Sequence, residues 1–254
     1  MDIGKAFEFI GKDEDWMKKM GLGALLAMIP FVNFAVFGYQ IQIARNVAND
    51  EERPLPTWDD FGSYFGDGLR LFAAMMVYML PVFCAYGLFF GFFFSYMDAF
   101  DPTYSGGTAG TLPPNPPVEI FAAMGLMFAC IMPYSLFIYA LFPMFSIQIA
   151  RHKSVGSCFQ FSEMWQLLRA QTGNYVLMTV VMVGLYMAGS FIAAPISIVA
   201  ILIPCLGYII YLAIYGAIIT LTFSVTGHME GQFMKGIEKP TNFDDYSDIV
   251  AFDG

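Results

Sequence analysis

Charged residues are scarce in this chain. They make up 13% of its 254 residues, against 57% hydrophobic, whereas a soluble domain carries roughly 25% charged residues. The deficit falls in blocks: Met20–Ala44, Leu71–Met97, Ile120–Ala150 and Ala170–Gly227 hold no Asp, Glu, Lys, Arg or His. An ordinary soluble core is thereby excluded. Basic residues are scarcer than acidic ones, 12 against 21, for a formal net charge of −9. A nucleic-acid partner is excluded on that ground, because phosphate contact needs a basic face. Cysteine is limited to Cys84, Cys130, Cys158 and Cys205, with no C-x-x-C pair. These read as small buried residues, neither a disulfide framework nor a metal site. Catalytic signatures are missing too: no Walker A, no H-E-x-x-H and no dinucleotide fingerprint. The glycines of Ser105–Gly110 lack a following Lys-Ser/Thr and read as a loop. Of the two histidines, His152 and His228, each sits at a span end, with a structural interfacial role as the expectation and metal or pigment ligation as the alternative. No catalytic, cofactor-binding or metal-binding residue is assigned, and a non-enzymatic protein is expected.

What the chain does have is apolar length. A bilayer core of about 30 Å needs roughly 20 apolar helical residues. Three of the charge-free runs suffice for one span each and the fourth for two. The runs are continuously apolar and do not alternate, so helices are expected and a barrel is not. The fold class is an all-α polytopic transmembrane bundle of about five spans. The first span, starting near Met20, is too long for a signal-peptide core. Ile3, Phe7 and Ile10 recur at helical spacing, which predicts an amphipathic surface helix within 1–19.

An internal repeat organises the rest. Ile41-Gln-Ile-Ala-Arg45 recurs as Ile147-Gln-Ile-Ala-Arg151, each copy closing a proline-containing apolar run and each followed by a polar stretch with a tryptophan, Trp58 or Trp165. The unit is span, surface segment, span, as in parallel-repeat transporters. Repeat 1 occupies 20–97, a Gly/Pro-rich loop 98–117, repeat 2 118–194, a fifth span 195–227 with its turn at Ala193–Pro195, and an acidic polar tail 228–254. Thr57 is a candidate cap with Asp60 near N3. Trp58, Phe61, Phe65 and Leu69 in one copy, and Cys158, Phe161, Trp165 and Leu168 in the other, predict helices lying flat at the membrane surface.

Lys and Arg set the orientation. Loop 98–117 has none and is expected outside the cell membrane; segments 45–70 and 151–172 carry three each and are expected in the cytoplasm with the C-terminal tail. Five full spans place the N-terminus outside, where Lys5, Lys12, Lys18 and Lys19 fit poorly. The alternative is a re-entrant hairpin over Met20–Arg45, bent at Pro30–Asn33, which keeps them inside.

The residues Trp16, Gly21, Ile29-Pro30, Asn33-Phe34, Gly38-Tyr39, Arg45, Leu55-Pro56-Thr57-Trp58-Asp59-Asp60 and Gly68-Leu69 resemble the bacterial and archaeal multi-span membrane family of domain of unknown function 4013. The likeness is strongest over 1–82 and looser across the second repeat. It implies a multi-span membrane protein, and it implies no activity and no catalytic residues.

Candidate functional residues are therefore structural or interfacial. Gly87, Gly91 and Ser95 form a small-residue stripe, expected to pack internally or across a dimer. Gln42 and Gln148 are repeat mates expected to hydrogen-bond between helices. Arg45 and Arg151 are expected to snorkel, or to meet lipid phosphate or the acids Asp59 and Asp60; Trp58, Trp165 and His152 complete the interfacial set. The expected partners are membrane lipid and another membrane protein or a second copy. The expected function is a scaffold or accessory subunit of a membrane assembly. The alternative is a carrier or permease for lipids or uncharged hydrophobic molecules.

Overall fold

The computed structural model describes residues 1–99, 118–203 and 206–238. Most of the Gly/Pro-rich loop, Cys205 and the acidic end of the tail lie outside the described residues. The described chain is all helical: α1 Ile3–Lys12, α2 Trp16–Ala27, α3 Phe34–Ala48, α4 Phe61–Ala99, α5 Val118–His152, a 3-10 segment Val155–Phe159, α6 Phe161–Ala170, α7 Thr172–Leu202 and α8 Leu206–Glu238. Among the described residues, four stretches are long and apolar enough to cross a membrane: Phe61–Ser95, Met124–His152, Thr172–Ser197 and Leu206–Ile237.

The first apolar run, expected as a span, is instead divided. α2 stops ahead of Pro30, since proline disfavours helical backbone in the residue before it, and Phe31 adopts a left-handed φ of 67°. The bend satisfies much of its own backbone: the Ile29 amide donates to Leu26 O, Asn33 to Ile29 O and Phe34 to Phe31 O. α2 then runs down α8 in the opposite sense. Ser224 Oγ donates to Met20 Sδ, Gly23 faces Thr220, and Gly216 faces Ala24. α3 returns in the same sense as α8, with Phe37 against Phe223, Gln40 against Gly227, and Ala44 and Val47 against Gly231. Both outer ends of this hairpin therefore lie toward the C-terminal end of α8. Its tip exposes Ile29 and Phe31, the latter 74% exposed. A hairpin bent at Pro30–Asn33 is the shape that the re-entrant alternative requires.

α8 is the hub of the first compact unit, which comprises Met1–Ala74 and the chain from Pro143 onward. α1, α2, α3 and α7 all pack on it. Glycines on α8 admit the hairpin closely: a Cβ at Gly216, Gly227 or Gly231 would crowd the carbonyls of Ala24, Gln40 or Ala44. α1 is capped by Asp2, whose side chain accepts from the Lys5 amide. Its apolar residues Ala6, Phe9 and Ile10 are buried, Phe9 with its ring 4.5 Å from that of His228. Of the expected amphipathic face, Ile10 is buried and Phe7 is 43% exposed; the segment meets α8 through Ala6, Phe9 and Ile10.

Three further expectations change. Residues 228–238, expected in the polar tail, are the last three turns of α8, held because Met229 and Phe233 are fully buried one turn apart. The turn expected at Ala193–Pro195 falls instead after Leu202, with Pro195 inside α7. The flat helix expected after Trp58 is the opening of the continuous 39-residue α4. Its first turn is capped by Asp60, which accepts from the Ser63 amide at 3.4 Å, and not by Thr57. A separate short helix follows only the second pentapeptide, as α6 Phe161–Ala170.

The second unit, Met75–Phe142, contains the remaining parts of α4 and α5. Tyr134 donates its hydroxyl to Tyr78 O at 2.6 Å. Many of its described large side chains are exposed, among them Leu88, Phe94, Leu126 and Phe137.

Candidate functional site

Polar side chains gather where α3 and the end of α5 meet the C-terminal part of α8. The entry to this region is an aromatic node. Tyr39 stacks on Trp58 with centroids 4.3 Å apart and 6° between planes, and Tyr64 meets both rings edge-on. Each polar tip is satisfied: Tyr39 donates to Pro56 O, Tyr64 to Thr57 O and Trp58 Nε1 to Lys19 O. The node forms because α3 and α4 cross with almost no separation. A Cβ on Gly38 would overlap the Tyr64 carbonyl, and one on Gly68 would overlap the Phe34 carbonyl.

The crossing carries Asp67 onto α3. Asp67 binds Arg45 and accepts from Arg70 at 2.5 Å. The Arg45 and Asp67 side chains are only 12% and 3% exposed. Arg45 also donates Nε to Ala150 O at 2.9 Å and Nη2 to Ile149 O at 3.0 Å. Those carbonyls belong to the last turn of α5, where backbone acceptors run short of helical partners, although Ile149 O also accepts from the Lys153 amide at 2.9 Å; a cation is favoured there by the helix dipole. The arginine of the first pentapeptide thus caps the helix that ends in the second. The expected partners Asp59 and Asp60 are exposed and do not pair with it.

Deeper in the same region lies Glu230, fully buried on α8. Gln40 Nε2 donates to its Oε1 at 2.7 Å and Ser146 Oγ to its Oε2 at 2.7 Å. Gln40 and Ser146 each immediately precede a copy of the pentapeptide, so one carboxyl ties the two copies together at equivalent positions. No ion pair to Glu230 occurs among the described residues. Glu230 is missed from the sequence when the span is ended at Gly227, where polar residues begin. The Gly227/Gly231 and Met229/Phe233 spacing is the signal that the helix continues.

The second pentapeptide is treated differently. Arg151 pairs with Glu163 at 2.5 Å with its side chain 32% exposed, and His152 Nε2 lies 3.1 Å from the same oxygen. Gln42 bonds Asn46 at 2.7 Å on its own helix. Its mate Gln148 is fully buried with both side-chain polar atoms unpartnered among the described residues. Cys158 is buried as expected, with its thiol pushed up to about 11 by burial, whereas Cys84 and Cys130 are exposed. Nothing among the described residues lies within 4 Å of a Cβ built on Gly87 or Gly91, and Ser95 donates back to Gly91 O. Trp165 is exposed on α6.

Two adjoining cavities, of about 180 and 410 Å³, lie between α1, the 50–55 segment and α8, and share Lys5, Pro54 and His228. Their lining mixes acids and bases. Among the described residues, no group of three His, Cys, Asp or Glu side chains is placed to hold a metal ion.

No curated protein and no solved structure matches this chain. A family described as protein of unknown function (DUF4013) matches residues 22–198. That span takes in the hairpin, the aromatic node, the Gly38/Gly68 crossing and both pentapeptides. With these long apolar helices and well over half its length matched, the chain belongs to the DUF4013 family of proteins of unknown function.

Proposed function

We propose that this chain is a non-enzymatic multi-pass protein of the cytoplasmic (inner) membrane, acting as a scaffold or accessory subunit of a larger membrane assembly. One observation carries the reading: the buried carboxyls Asp67 and Glu230 are each held by side chains of the bundle, while many large apolar side chains of the long helices are exposed. Arg45, Asp67 and Arg70 form one closed set, and Glu230, Gln40 and Ser146 another. The span windows of α4 and α5 are only 17% buried, which leaves broad apolar faces for lipid and for other membrane helices. The two cavities are lined by acids and bases alike and lie against the polar C-terminal turns of α8.

In this reading the span–segment–span unit is duplicated, and Glu230 and Arg45 hold the two copies together. Four crossings and a re-entrant hairpin bring α1 and the C-terminal end of α8 to one face. That face is cytoplasmic, because all 12 Lys and Arg of the sequence fall in segments on that side, Lys5–Lys19 included. Loop 98–117 is then extracytoplasmic.

The test is gentle extraction from native membranes followed by native mass analysis of the full chain. A particle containing further copies or a co-purifying membrane protein is expected. A strictly monomeric, partnerless particle overturns the scaffold reading.

A further inference from the structure

We propose that α6, together with the basic turn before it, is a docking site for anionic phospholipid. The segment joins α5, which ends at His152, to α7, which begins at Thr172, and both belong to candidate spans. Its connection at each end therefore holds it at a membrane surface. Met164 and Leu167 fix the inner face of α6 by burial, and Phe161 and Trp165, one turn apart, point outward at 61% and 53% exposure. Arg169 lies one turn beyond, its guanidinium 4.7 Å from the Trp165 ring centroid. Aromatic rings flanked by cations suit the headgroup level of a bilayer. A guanidinium stacked on tryptophan keeps its N–H fork available for a phosphodiester.

Charge selects the occupant. Segment 151–172 holds Arg151, Lys153 and Arg169 against one acid, Glu163, a net +2. The matching segment 45–70 holds three basic residues against six acidic ones, a net −3. The N-terminal segment and the tail are also net acidic. In a chain of net charge −9, this is the one polar segment that attracts an anionic surface. Glu163 is itself engaged by Arg151 and His152, which mutes the single opposing charge.

The experiment uses the full chain in nanodiscs of equal phosphatidylglycerol and phosphatidylcholine, with brominated acyl chains on one lipid at a time, and reads tryptophan fluorescence. Brominated phosphatidylglycerol is expected to quench about twofold more than brominated phosphatidylcholine. The excess is expected to vanish in Trp165→Phe, which leaves only Trp16 and Trp58 to report. It is also expected to vanish in the double variant Lys153→Asn/Arg169→Gln. Asparagine is chosen at 153 because φ there is 52°, a region it tolerates. Unchanged thermal unfolding of both variants certifies their fold. Equal quenching by the two lipids overturns the proposal, as does an excess that survives charge removal. Quenching of Trp165 by neither lipid also overturns it, and shows that protein covers the face.

Discussion

The same five residues, Ile-Gln-Ile-Ala-Arg, end two helices and meet opposite fates. At the first copy the arginine is largely shielded, shared between a carboxylate and two backbone carbonyls of α5. At the second it lies at the rim and shares a partly exposed Glu163 with His152. The pentapeptide does not decide this; the stretch of chain after it does. Beyond Arg45, the glycine crossing of α3 and α4 carries Asp67 back over the helix end. Beyond Arg151, the 3-10 segment and α6 intervene before α7 begins, and the nearest acid arrives on a surface helix. An identical motif becomes an internal lock or a rim contact according to how closely the next helix can approach.

Closing that approach should have the largest effect. Gly38→Val or Gly68→Val drives a side chain into a neighbouring backbone carbonyl, where no rotamer change relieves it. A loss above roughly 4 kcal/mol is expected, seen as failure to recover monodisperse protein in mild detergent; well-folded variants would refute the crossing. Next comes the contrast between the arginines. Arg45→Ala leaves buried Asp67 with Arg70 alone and uncaps α5, and should cost about 3 kcal/mol, while Arg151→Ala should cost under about 1 kcal/mol. Comparing their unfolding midpoints in one detergent checks this, and equal losses would erase the distinction. A cut in Glu230 should fall between them: Glu230→Ala leaves the buried Gln40 amide without its acceptor, at about 1–3 kcal/mol. The same midpoint measurement, with Ser146→Ala as a milder companion, tests it. The smallest effect should have the opposite sign. Gln148→Met removes two unpartnered buried polar atoms at similar volume, and should raise stability by about 1 kcal/mol. A lower midpoint would mean that the amide has a partner in the membrane-embedded protein.

Long apolar helices were legible from sequence because span-forming ability is additive: twenty apolar residues in a row act alike wherever the chain goes. The division at Pro30 was legible only as an alternative. Met20–Ala44 is long enough to cross, and its turning back depends on the glycine face of α8, about two hundred residues away in sequence. Trp58 stood out as an interfacial residue from its type alone, yet its stacking on Tyr39 and its bond to Lys19 are tertiary facts. Asp59 and Asp60 drew attention as neighbours of a turn, whereas the acid that matters, Asp67, sits two turns into α4 and gains its role from the crossing. Glu230 was hidden for a related reason. A charge at the end of an apolar run marks the membrane boundary by composition, and only burial against Gln40 and Ser146 distinguishes a boundary residue from an internal one.

The position of the hub in the chain sets an order of assembly. The early helices α1, α2 and α3 all rest on α8, which leaves the ribosome after every one of them. When the hairpin is made, it has neither its glycine-lined bed nor the carboxyl that Gln40 awaits, so its bent backbone must be sheltered until α8 is made. Growth from the N-terminus ordinarily lets early segments settle first; here three early helices wait for a much later one. A nascent chain stalled before Leu206 would expose the hairpin to protease, and release of α8 would close it in a single late step.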